Sequence, residues 1–489
     1  METRHDVKEI VRNQEDEKIL KWLAAPDPSV GYNAALEKRC LETGSWFLKG
    51  EKFNEWKTKA DVPLWISGIP GCGKTVLCSS IVKDVISTRS GASSACAYFF
   101  FDGRDSREEF QLHRKLIRSL IKQFTSRLPS IPPSLKRLYG TGDHQPSLPD
   151  MEKTLDEILD HFRDAFIVID SLDECSEKRD LLRWITNVCQ RKAGKLHLLV
   201  TSRPEQDIIE KMDRLALVHV LVETENITED IESYVNSEIT TDDRLASIPI
   251  GNLRMKLVED ACGMFRLVAF RIQELRDCRT LHELQEALQN LPKDLYAMYH
   301  KMISKLRCED RVRVLRILRW LAFSMRDLSL KEVAEVVAVD MSGQKPHFNA
   351  NHRFIEIQGL LLLCGGFVSH SQGEVKLSHM SIKDYLLSNH HPKSSDIRTN
   401  TSLAHSVIAQ TCLAYLLQFT QPGSTNNIRD MFPLADYAAR YWFKHVRFVD
   451  SDDMGAQHQM TMELLQVDCG AFEEWVNLYN PDDPYRLEG

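Results

Sequence analysis

The sequence predicts an α/β fold built on a parallel sheet, followed by all-helical stretches and a small helix-plus-hairpin unit. Three observations carry this. Apolar runs with strand character, 64-LWIS-67, 95-ACAYFFF-101, 165-AFIVID-170 and 196-LHLLVTS-202, alternate with segments of helical period. A glycine-rich turn, 68-GIPGCGKT-75, directly follows the first run and precedes a helix. Beyond Glu223 the strand pattern stops and helical periodicity takes over.

The chain has 489 residues, longer than one compact core usually runs, so several domains are expected. Residues 1–60 form an N-terminal helical segment with two apolar patches, Ile19, Leu20, Trp22 and Leu23, then Trp46, Phe47, Phe53 and Trp56. Residues 61–222 hold the sheet, with a helix expected over Glu108 to Leu128 and a proline-rich irregular loop over Leu128 to Pro149. Residues 223–306 are a helical appendage, with helices over Ile227 to Ile239, Leu253 to Arg276, Leu281 to Gln289 and Asp294 to Leu306. Residues 307–392 combine helices over Val312 to Phe323 and Leu330 to Val337 with strand-like 365-GGFVSH-370 and 374-EVKLSH-379 about a Ser-Gln-Gly turn, a pattern compatible with a winged helix. Residues 393–489 return to amphipathic helices, 404–419 and 434–446. No unit of 20 to 50 residues repeats along the chain.

A net charge of -8 gives no bulk attraction to nucleic acid or to an anionic membrane, and neither is expected as a partner. The twelve cysteines show no C-x-x-C pair and no zinc spacing, and METRHDVKEI lacks the apolar core of a secretory signal. Reduced thiols and a cytoplasmic location are therefore expected. The most apolar run, 359-GLLLLCGGFV-368, is about half the length that crosses a bilayer and reads as a buried strand or helix end.

The turn 68-GIPGCGKT-75 matches G-x-x-x-x-G-K-[ST] in full, in the strand-then-helix context that the motif needs. Gly68, Gly71 and Gly73 let the backbone curl so that its N–H groups and the helix N-terminus face a β-phosphate, with Pro70, Cys72 and Val76 completing the loop. Lys74 brings positive charge to the β- and γ-phosphates, and Thr75 offers a hydroxyl to Mg2+. Asp170 ends an apolar run and reaches the sheet's carboxyl edge, where it would hold the same metal. Asp173 and Glu174 follow a two-residue turn: one is expected to cap the helix 177-EKRDLLRWITNVC-189 and the other to face an attacking water. Arg203 ends the next strand, either sensing a γ-phosphate or pairing with Glu205 or Asp173.

The set GIPGCGKT, IDSLDEC and LLVTSRPE resembles the NACHT domain of STAND-class signalling NTPases, in particular the fungal nephrocystin-type proteins related to NOD-like receptors. The segments 40–56, 97–105, 262-CGMFRLVAF-270, 291–302 and 432–445 are similar to other stretches of that family. The resemblance implies a five-stranded ASCE-type P-loop sheet, a helical lid, a winged helix and C-terminal helices. It makes Lys74 and Thr75 the Walker A contacts, Asp170 the magnesium aspartate, Asp173 and Glu174 an acidic catalytic pair and Arg203 the sensor. It also makes His379, in 377-LSHMSIKDYLL-387, a contact to the β-phosphate of ADP, although a lone histidine at a strand end is more often a packing residue. The family's lid usually offers a proline to the adenine, and 262-CGMFRL-267 has none.

What the resemblance implies is a switch that binds ATP or ADP (GTP being an alternative) with Mg2+ and hydrolyses slowly. It is closed with ADP and forms a homo-oligomer with ATP. Two alternatives stand beside it: a scaffold that holds nucleotide without turnover, and a cycling AAA-like remodelling ATPase, which would want an acid where Ser171 stands. Relatives carry an N-terminal effector and C-terminal repeats, and 474-EWVNLYNPDDPYRLEG-489 resembles the point just before ankyrin repeats.

Overall fold

A computed structural model describes residues 15–479 apart from 41–42, 89–90, 92, 104–111, 141, 192–194, 216, 223, 247–252, 260, 344, 372, 389–396, 398, 420–424, 451–454 and 467–469. The expected start of the helix at Glu108 and the ending 480–489 lie outside the described residues. The chain divides into two compact units, one running up to Leu295 and the other from Tyr296 onward.

The first unit is organised by five parallel strands, β1 Leu64–Gly68, β2 Ser94–Phe100, β3 Asp164–Asp170, β4 Leu196–Ser202 and β5 Val218–Val222, in the order β2-β3-β4-β1-β5. The decisive feature is β4 lying between β1 and β3. Ser67 pairs with Ser202, and Ile169 with Val200, so the carboxyl ends of β1, β3 and β4 meet at one edge. The strands read as continuous apolar runs because both faces are covered. The helices Leu112–Thr125, Leu148–Leu159 and Lys178–Gln190 contribute to the core on one face. Lys74–Thr88, Glu51–Thr58 and the helices after β5 contribute to the other.

The two N-terminal patches divide between these cores, Ile19 and Leu23 in one and Phe47, Phe53 and Trp56 in the other. Trp56 is fully buried and its Nε1–H donates to the Leu198 carbonyl at 3.0 Å, tying a helix before the sheet to the strand in its middle. Such a side chain contributes both apolar area, about 25 cal/mol per Å² buried, and a satisfied polar handle.

The five-stranded sheet that the resemblance implies is present, one of its strands unread from the residues, and three expectations need correction. β5 was not among the four runs read from the residues: it is a five-residue edge strand with His219 and Leu221 exposed, too short and too mixed to stand out. The single helix over Leu253 to Arg276 is two, Leu253–Val258 and Phe265–Asp277, separated where Cys262 and Gly263 take φ of 47° and 76°. The proline-rich loop contains the helix Pro133–Tyr139, whose first position is a proline with φ preset for it. The run 359–368 is a helix, Gly359–Cys364, followed by a 3₁₀ turn, Gly365–Phe367. Leu360 and Cys364 are buried but Leu362 is 85% exposed, so the run has only one buried side.

In the helices after β5 a buried arginine joins neighbouring turns. Arg271, 1% exposed, donates to the carbonyls of Pro292, Leu257 and Glu259 at 2.7 to 3.2 Å, joining the turns on either side of Phe265–Asp277.

The second unit places the helices Cys308–Phe323, Leu330–Val336 and Ser381–Leu387 with a three-stranded antiparallel sheet, Leu328–Ser329, Glu374–Leu377 and Val368–Ser371. Ser329 and Glu332 form a reciprocal capping box that starts the second of those helices. The helices Thr401–Leu416 and Ala435–Val446 are almost wholly buried on their contact faces. His405 and His445 meet there through their Nδ1 atoms at 2.7 Å, and Tyr437 Oη lies 2.9 Å from His445 Nε2. No disulfide joins any two of the described cysteines, and among the described residues no helix is long and apolar enough to cross a membrane.

Candidate functional site

β1 ends at Gly68, and the chain turns through Ile69–Gly73 into the helix Lys74–Thr88. Gly71 and Gly73 hold φ of 82° and 90°, which a side chain would resist. Gly68 is needed for closeness: a Cβ there would come within 2.8 Å of Cys72 Sγ and 3.1 Å of Val222 Cβ. Cys72 is buried beneath the turn, Pro70 and Val76 are half-buried, and Thr75 is exposed at the helix start. Lys74 Nζ curls back over the loop, donating to the carbonyls of Gly68 at 2.8 Å and Ile69 at 3.0 Å. The loop therefore presents a cation and the N-terminal N–H groups of a fifteen-residue helix on one side, a ready anion cradle.

Asp170 stands at the end of β3, 1% exposed. Thr201 Oγ1 donates to its Oδ1 at 2.6 Å and Ser171 Oγ to its Oδ2 at 2.9 Å. Burial raises the carboxyl's pKa, opposed by hydrogen bonds from Thr201, Thr75 and Ser171 and by the Lys74 charge. The acid of β3 lies close enough to the phosphate loop for Thr75 and Lys74 to favour its charged form. Two hard oxygen ligands, from Thr75 and Asp170, fit a Mg2+ ion that takes its other ligands from phosphate and water.

Ser171 adopts φ 57°, ψ 49°, a left-handed conformation that costs a non-glycine residue roughly 1 kcal/mol. Its N–H is satisfied by Thr201 Oγ1 at 3.0 Å. The chain leaves the strand direction at once, and Leu172–Glu174 winds into a 3₁₀ turn. There the two acids take different partners. Asp173, its side chain 5% exposed, accepts the Arg203 backbone N–H on Oδ1 at 2.9 Å, while Oδ2 lies 3.1 Å from Arg203 Nε. Glu174 Oε2 accepts the N–H of Gly103 at 2.7 Å.

This corrects the expectation that one acid caps the following helix. That helix runs Lys178–Gln190, its N-cap is Glu177 without a side-chain capping bond, and Glu177 instead receives the His113 N–H at 3.0 Å. The 3₁₀ turn keeps Asp173 and Glu174 away from the helix start. For Arg203 the alternative of pairing with Asp173 is the arrangement present, and Glu205 pairs with Lys178 instead.

The sequence reading missed two residues beside the loop. A Cβ on Gly71 would lie 3.1 Å from Arg266 Cβ, and one on Gly73 would lie 3.4 Å from the Phe265 ring; the Arg266 N–H reaches the Gly71 carbonyl at 3.4 Å. The start of the helix Phe265–Asp277 therefore sits on the phosphate loop, at the place where the family's proline is lacking. Gly263 just before it was the available signal. His379 belongs to the second unit, where its Nδ1 lies 2.7 Å from Ser381 Oγ, itself 2.8 Å from Tyr299 Oη.

Residues 42–203 match the family described as Nephrocystin 3, N-terminal, and residues 299–400 match the GPI inositol-deacylase winged helix domain. The vegetative incompatibility protein HET-E-1 of Podospora anserina is 26% identical over 467 residues, covering 86% of this chain and 33% of that protein. The azaphilone pigments biosynthesis cluster protein L of Monascus ruber is 30% identical over 226 residues, covering 43% of this chain and 47% of that protein. The chain thus spans between a third and a half of the length of these relatives. A Walker-type ATPase of Pyrococcus abyssi aligns with a TM-score of 0.34 at 12% identity, over 71% of this chain and 97% of that one. The family matches and the two fungal relatives bear out the resemblance to fungal NACHT-type P-loop NTPases, and the strand order agrees with it.

Proposed function

We propose that this chain is a nucleotide-operated switch that binds ATP or ADP with Mg2+, hydrolyses the β–γ phosphoanhydride slowly, and changes its assembly state with the nucleotide held. The observation that carries the reading is the convergence of Lys74, Thr75, Asp170 and Arg203 on one edge of the sheet, with β4 inserted between β1 and β3.

In this reading the loop N–H groups and Lys74 bind the β- and γ-phosphates, and Thr75 and Asp170 hold the metal. Bound there, Mg2+ would neutralise charge on the transferring phosphate. Slow turnover follows from the acids. Asp173 has both carboxylate oxygens engaged by Arg203, so it anchors the sensor arginine and is not poised as a base. Glu174, which accepts the Gly103 N–H, is the acid assigned here to orient water. Ser171 occupies the place after the metal acid, and its left-handed backbone turns the chain away before a glutamate could project along the strand.

Purified protein mixed with radiolabelled ATP under single-turnover and then multiple-turnover conditions tests this. The expected rate is on the order of 10⁻² s⁻¹ or slower, as for switch NTPases without an activating partner. Sustained turnover at about 10 s⁻¹ would mark a cycling ATPase, and tightly held nucleotide with no turnover would mark a scaffold. Lys74→Ala is expected to remove nucleotide binding by equilibrium titration.

A further inference from the structure

We infer that Thr201 is a positioning residue that sets the metal affinity of Asp170. The inference rests on the proposed reading of the site and gives a role to a residue of the LLVTSRPE stretch to which the sequence reading assigned none. Thr201 is wholly buried at the next-to-last position of β4. Its hydroxyl does two things at once: it donates to Asp170 Oδ1 at 2.6 Å and accepts the Ser171 N–H at 3.0 Å. The first bond fixes the rotation of the carboxylate. The second holds the left-handed residue that follows it, φ 57°, which has no such preference of its own. One hydroxyl therefore orients the carboxylate and satisfies the turn that ends its strand.

Ser171 Oγ, on the other oxygen, completes the frame. Asp170 is presented as a carboxylate whose two oxygens are each fixed by a hydroxyl from within the sheet edge, with Thr75 on the loop side. Groups that orient a metal ligand in this way typically alter metal affinity by 10 to 100-fold when removed. Arg203 follows directly on β4, two residues past Thr201, and is tied to Asp173, so the same strand end positions both the metal acid and the arginine. Thr201 is the link in that strand end that touches the metal acid directly.

The test compares wild type, Thr201→Val and Thr201→Ser by fluorescence titration with a labelled ADP, with and without Mg2+. Thr201→Val keeps the side-chain shape and removes the hydroxyl; it is expected to bind ADP without metal within about twofold of wild type and to need about tenfold more Mg2+ for the metal-dependent part. Thr201→Ser restores the hydroxyl and is expected to return the Mg2+ requirement to within about threefold of wild type. Equal Mg2+ requirements in valine variant and wild type overturn the inference, as does a serine variant no better than valine. If valine does not fold, the Ser171 amide in the wild-type protein decides: its hydrogen exchange is expected to slow at least threefold when Mg2+ joins bound ADP, and an unchanged rate overturns the inference. A wild type that binds no nucleotide would sink the functional reading itself, an outcome distinct from any of these.

Discussion

Asp173 and Glu174 are adjacent and chemically alike, yet the structure gives them different work. Asp173 is buried against Arg203, while Glu174 accepts the Gly103 N–H. Asp173→Asn removes the charge on a nearly buried partner of a guanidinium and is expected to free Arg203, altering nucleotide affinity several-fold and costing about 1 to 3 kcal/mol of stability in urea unfolding. Glu174→Gln is expected to leave stability within about 0.5 kcal/mol and to lower single-turnover hydrolysis by roughly 10² or more. The loop itself was legible, because glycines, lysine and threonine lie in one contiguous motif. The Thr201 link was not, since it joins residues thirty-one apart through the register of β3 on β4; the Asp173–Arg203 pair was one of the alternatives open for Arg203, and the same register selects it.

At the scale of elements, the central strands could be read because a strand covered on both faces must be apolar throughout, as β1 and β3 are. β5 escaped because an edge strand exposes alternate residues. The break between Leu253–Val258 and Phe265–Asp277 escaped because its backbone reversal is made partly by Cys262, a residue without turn preference. That break brings Phe265 and Arg266 onto the phosphate loop, and Arg271 locks it. Replacing Arg271 with Met leaves buried carbonyls of Leu257, Glu259 and Pro292 unsatisfied, and a loss of about 3 kcal/mol or more is expected. Thermal unfolding followed by circular dichroism checks it; a variant as stable as wild type would show that the arginine is incidental.

The whole molecule carries a pH dependence built into its second unit. Burial holds His405 down to about 4, with the Lys383 charge adding to it, and drives His445 well below its ordinary range. Both are neutral in the folded protein, while the unfolded chain takes up protons below about pH 6.5. The stabilisation is therefore complete above pH 6.5 and is lost as pH falls from there toward 4. For His405 alone the loss is on the order of 3 kcal/mol. Hydrogen exchange of the Thr401–Leu416 amides at pH 7 and pH 5 is expected to show it, and the slope should shrink in His405→Gln.

In the proposed switch, nucleotide identity sets the state of the molecule. Light scattering of the purified chain, first with Mg2+ and ADP and then with Mg2+ and a non-hydrolysable ATP analogue, tests it most directly, with Lys74→Ala as the control. A monomer is expected with ADP, a larger assembly with the analogue, and no response in the Lys74 variant. The same mass with both nucleotides, in a protein shown to bind each, would contradict it.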